Sequence, residues 1–118
     1  MRIVIATYVR AFEALPLEGP ELRALRALLD RPGGRTDELS RAAGWREDVW
    51  QRRFARIARR RRKWLGLRAG AEEEPAGELA LCTLLADRDD RTGRFLLKPQ
   101  VTAALMRLEI VRGGRAGE

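Results

Sequence analysis

Along residues 48–65, apolar side chains return every three to four positions. On a wheel of about 100° per residue, Trp50, Phe54, Ile57, Ala58, Trp64 and Leu65 share one arc. Arg52, Arg56, Arg59, Arg60 and Lys63 take the opposite arc, with Arg53 and Arg62 at its edges. The pattern predicts a helix that offers one face to a core and a cationic ridge to something anionic. Arg61 lands in the middle of the apolar arc. Either the helix frays before it, or its side chain snorkels past the tryptophans to water. Asp48 is placed to cap this helix, with Gln51 three residues later as in a capping box.

The rest of the chain divides by the same reading. Residues 2–12 are rich in β-branched and aromatic types (Ile3, Val4, Ile5, Thr7, Tyr8, Val9), which favours a strand over a helix. Leu15-Pro16 and Gly19-Pro20 mark a connector. Leu22, Leu25, Leu28 and Leu29 form the stripe of a first helix over residues 21–30, stopped by Arg31-Pro32-Gly33-Gly34. Thr36 can cap a short second helix with Asp37 and Glu38 in its first turn, and Gly44 suits the left-handed residue beyond its end. Residues 66–77 read as a loop whose Glu72-Glu73-Glu74 run either folds back on the basic ridge or is solvated, the latter favoured because exposed ion pairs contribute little. Residues 78–86 alternate as a strand, residues 87–93 are a polar turn, and residues 94–98 are the returning strand of a hairpin. Pro99 opens a last helix with Val101, Ala104, Leu105 and Leu108 inward. Residues 1–112 are expected to form a single domain and residues 113–118 a disordered tail.

Charge sharpens the first element. Residues 45–68 hold ten Arg and Lys against Glu47 and Asp48, a local charge of +8 in a chain of +7. The basicity therefore belongs to one element. A pI near 11.1 favours a polyanionic partner. Arginine outnumbers lysine, which occurs only at Lys63 and Lys98. A GC-rich genome would produce the same bias, so it adds nothing by itself.

Candidate sites follow from the ridge. Arg52, Arg53, Arg56, Arg59, Arg60 and Lys63 are spaced to follow a phosphate backbone, while Arg46, Gln51 and Arg52 near the helix start could reach base edges. Arg88, Arg91 and Arg94 flank the hairpin turn and could touch a minor groove or a phosphate, offset by Asp87, Asp89 and Asp90. The bland alternative is a solvated cationic face. Trp45, Trp50 and Trp64 could stack on unpaired bases, but Trp50 and Trp64 stand at core spacing with Phe54 and Ile57.

Catalysis has little to stand on. The chain has no histidine, one serine (Ser40) and one cysteine (Cys82), the latter in a stretch expected to be buried. The run 87–93 lacks the oxygen spacing and distal Glu of a calcium loop. No enzyme activity, metal or cofactor is expected. The lone cysteine suits a reducing cytoplasm, and no apolar run reaches about 18 residues, so no membrane contact is expected.

The order helix, helix, turn, basic helix, hairpin resembles the winged helix-turn-helix superfamily. The resemblance covers roughly residues 20–98, through E-L-R-A-L-R-A-L-L-D-R-P-G-G-R, T-D-E-L-S-R-A-A-G-W, the basic helix and L-A-L-C-T-L-L-A-D…G-R-F-L-L-K-P. The ending F-L-L-K-P-Q-V-T-A-A-L is also similar to the last strand and closing helix of small bacterial winged-helix domains. The resemblance implies an α+β fold with a three-helix core, a C-terminal hairpin wing, and an added N-terminal strand and terminal helix. It implies binding of double-stranded DNA, as a transcriptional regulator or accessory module, with the basic helix in the major groove. The superfamily also holds protein-interaction adaptors, and the same ridge would suit RNA. Either terminal addition could serve a homodimer.

Overall fold

The computed structural model describes residues 3–66 and 77–110. Its elements are α1 (Ile5–Ala14), α2 (Gly19–Asp30), α3 (Thr36–Ala43), α4 (Val49–Arg60), α5 (Gly77–Cys82), β1 (Ala86–Arg88), β2 (Phe95–Leu97) and α6 (Pro99–Arg107). Helices surround one core, and β1 and β2 form a two-stranded antiparallel sheet. Residues 67–76 of the expected loop, with the Glu72–74 run, and the tail expected over 113–118 lie outside the described residues.

Two expectations are corrected. The N-terminal stretch is helix, not strand. Its β-branched residues argue for extension, but Tyr8, Ala11 and Phe12 are buried together at helical spacing, and α1 packs against α6. Tertiary burial thus overrides a weak local preference. Pro16 holds Leu15 extended (φ −137, ψ 92) and ends the helix. The strand expected over 78–86 is instead α5 followed by a turn, and only Ala86 is extended. Leu79 and Leu81 sit two apart, which imitates alternation, yet the buried set is Leu81, Cys82 and Leu85, a helical spacing, and Leu79 is exposed. Glu, Leu and Ala are good helix formers, so the local preference agrees.

The returning strand of the hairpin stands where the sequence places it, but its partner is displaced: β1 covers Ala86–Arg88, two residues into the expected turn. Ala86 pairs with Leu97, Asp87 with Leu96 and Arg88 with Phe95. The wider loop closes through Asp89 N–H to Arg94 O (2.9 Å) and Gly93 N–H to Asp89 O (2.7 Å). On its other edge β2 meets the α2–α3 connection: Gly33 N–H donates to Phe95 O at 2.8 Å, and Phe95 N–H to Gly34 O at 3.0 Å. Glycine suits this close approach at Gly34, because a Cβ would crowd Leu39 Cδ2 at 2.9 Å and Arg31 O at 3.1 Å.

Helices α2, α3 and α4 pack on one another. The α3 start is shared differently from expectation: Arg35 is the cap residue, its N–H donating to Glu38 Oε1 at 2.9 Å, and Thr36 is already helical. Gly44 is left-handed (φ 82) as expected, which turns the chain toward α4. Trp50 locks α4 in place. It stacks on Phe54 (4.6 Å), tilts against Phe95 (5.0 Å) and donates its indole N–H to Ala24 O at 3.0 Å. One side chain therefore ties α4 to α2 and to the hairpin.

Candidate nucleic-acid interface

Asp48 stands at the cap position of α4 but makes no capping hydrogen bond. Ser40, at the end of α3, accepts the Trp50 N–H at 2.9 Å instead. The cap is supplied across the turn, so α3 and α4 are held at a set angle. Asp48 pairs with the exposed Arg52 one turn on, at 3.6 Å.

The expected opposition of faces is present. Trp50, Phe54, Ile57 and Ala58 are buried, while Arg52, Arg53, Arg56 and Arg59 are exposed. Lys63 is exposed in the turn after the helix, its ammonium 5.0 Å from the Trp64 ring centre. Arg46 is exposed in the connection before α4. Among the described residues, Arg53, Arg56 and Arg59 bond no carboxylate.

Four expected contacts are otherwise engaged. Gln51 is turned from the ridge into the seam with α5: its amide accepts from Thr36 Oγ1 and donates to Glu78 Oε1, both at 3.2 Å. Its reach to base edges is lost because it sits on the flank that α5 covers. Arg60 is half-buried and bonds Glu21 Oε2 at 2.9 Å and Glu18 Oε2 at 3.2 Å. Arg88 bonds Asp90 at 3.0 Å. Arg91 remains exposed at the hairpin tip. Arg94 donates to Gly33 O at 2.9 Å, so it stitches the loop to the α2–α3 connection.

Neither alternative foreseen for Arg61 is sufficient. The helix does end at Arg60, but Arg61 is fully buried rather than snorkelling. Its guanidinium bonds Glu21 through two nitrogens (3.0 and 2.8 Å) and the carbonyls of Leu15, Pro16 and Ile57. The signal available in the sequence was Glu21 on the inner edge of the α2 stripe, a buried carboxylate requiring a cation.

Cys82 is buried with its thiol 3.5 Å from Gln51 O, and burial, reinforced by Glu78, pushes its pKa up to about 12. The Tyr8 hydroxyl donates to Leu84 O at 2.6 Å, and burial, with Asp87 nearby, raises it to about 12. Both stay protonated at neutral pH. Among the described residues, no helix is long and apolar enough to cross a membrane.

No protein-family model, curated protein or solved structure matches the chain significantly.

Proposed function

We propose that the chain is a winged helix-turn-helix domain that binds double-stranded DNA, with α4 in the major groove and the β1–β2 hairpin as the wing. The observation that carries this reading is the two-faced α4. Its apolar side is keyed to α2 and β2 by Trp50, and its outer side presents Arg52, Arg53, Arg56 and Arg59 to solvent. An exposed guanidinium row on a rigid helix suits phosphates about the edges of a groove. The α3–Gly44–α4 turn and the bonding of β2 to Gly33 and Gly34 support the motif and its wing. Arg46, Lys63 and Arg91 would extend the contact to flanking phosphates. The domain would act in the cytoplasm as a regulator or accessory module.

Titration of duplex DNA, structured RNA and single strands at low and moderate salt tests the reading. Duplex DNA is expected to bind best, with affinity falling steeply as salt rises. Equal binding of all three would leave only a general polyanion surface. No binding at low salt would refute the proposal and turn attention to a protein partner.

A further inference from the structure

Trp45 carries two arginines from different helices. The Arg23 guanidinium of α2 lies 5.8 Å from its ring centre, and that of Arg53 of α4 lies 5.7 Å away. The indole itself is half-buried against the core, and the Trp45 N–H donates to Ser40 O at 2.8 Å. Ring and backbone are thus anchored, while both arginines are exposed. Two nearby carboxylates are occupied elsewhere, Asp48 by Arg52 and Glu18 by Arg60. Glu47 is exposed in the same connection. Among the described residues, neither Arg23 nor Arg53 bonds a carboxylate.

We infer that Arg23 and Arg53, gathered on Trp45, form a clamp on the phosphate backbone of the duplex, a contact that sets the position of α4 along the DNA. This rests on the proposed DNA reading. One ring thus holds two cations, one from each helix, where the duplex backbone would pass. A guanidinium offers the planar fork that matches phosphate oxygens. Contact with the ring already restricts both long side chains, so less rotamer freedom is lost on binding. Arg53 and Arg56 also border the start of α2, with Glu18, Pro20 and Glu21, so the clamp continues the α4 ridge onto α2. Trp45 is then the support for the arginines rather than a platform for a base. A phosphate contact fixes register and carries no sequence information.

The test compares duplex affinity over a salt series for the wild-type chain, Arg23→Ala, Arg23→Glu and Arg56→Ala, with melting temperatures alongside. Arg23→Ala is expected to weaken binding equally across duplex sequences and to reduce the salt slope by about 1. Arg23→Glu should weaken it further, with melting temperature little changed in both. Unchanged affinity and slope in Arg23→Ala and Arg23→Glu, with Arg56→Ala weakened, would overturn the clamp and leave the DNA reading standing. Absence of duplex binding by the wild-type chain would overturn both.

Discussion

Arg61 and Glu21 form a buried bidentate ion pair in which neither group has hydrogen-bonding capacity to spare. All five guanidinium N–H groups are donated, two to Glu21 and three to the carbonyls of Leu15, Pro16 and Ile57. Glu21 accepts from Arg61 at both oxygens, from Arg60 at one and from the Glu18 N–H at the other. The pair joins the end of α4 to the start of α2 and to the α1–α2 connector. Removing Glu21 leaves Arg61 buried and unpaired, and removing Arg61 leaves Glu21 with Arg60 and takes the donor from the carbonyls of Leu15, Pro16 and Ile57; losses of this kind cost about 3–5 kcal/mol. Arg61→Ala and Glu21→Ala should each show this loss in denaturant unfolding. The double change Glu21→Leu with Arg61→Met should be milder than either. Arg61→Ala unfolding like Arg59→Ala would show the pair to be unimportant.

Glu21 also makes the fold acid-sensitive. Burial by itself raises a carboxyl pKa, but hydrogen bonds and charge from Arg61, with the Glu18 N–H and Arg60, hold Glu21 below its ordinary value. Its folded pKa therefore lies below its unfolded one. The stability it contributes is present above the unfolded value, about 4.3, and is lost as pH falls through the folded value. Unfolding free energies measured from pH 7 to pH 3 should fall in that window. Glu21→Gln should start lower and flatten the decline.

The cap of α4 comes from Ser40 rather than Asp48. Ser40→Ala should cost about 1–2 kcal/mol, because it orphans the buried Trp50 N–H. Asp48→Ala should cost less, losing only an exposed pair with Arg52. Chemical denaturation of the two variants decides between them, and a larger loss in Asp48→Ala would reverse the assignment.

Arg60 and Arg56 lie on the same side of α4 but should behave differently. Arg56→Ala is expected to weaken duplex binding and spare stability, since the side chain is exposed and among the described residues bonds no carboxylate. Arg60 is held by Glu18 and Glu21, so Arg60→Ala should lower melting temperature more than affinity. Parallel melting and binding measurements separate the two roles.

Cys82 should resist alkylation at pH 8. Its thiol is buried and held protonated, its pKa raised to about 12. Labelling should proceed only as fast as the chain opens and become rapid in denaturant. Fast labelling of the native chain would contradict the packing of α5 on α4.

The periodic elements were legible in the amino-acid order itself. Helix α4, its two faces, the left-handed Gly44 and the Pro99 start of α6 follow from local rules of spacing, propensity and capping. Residues 2–12 and 78–86, expected as strands, instead contribute α1 and α5, because short β-branched or alternating apolar runs fit either period and the choice falls to what each packs against. Tertiary structure alone decided which cations are free. Arg52, Arg60 and Arg61 are equivalent as charges in the chain, yet one faces solvent, one is half-held by two glutamates and one is enclosed in the core. The reason is the position of α2: Glu21 must be neutralised where it is buried, and among the described residues Arg60 and Arg61, at the end of α4, are the cations that bond it. Local order could thus determine that a cationic helix exists. The partners brought in from distant sequence determined which part of it remains available to an anion.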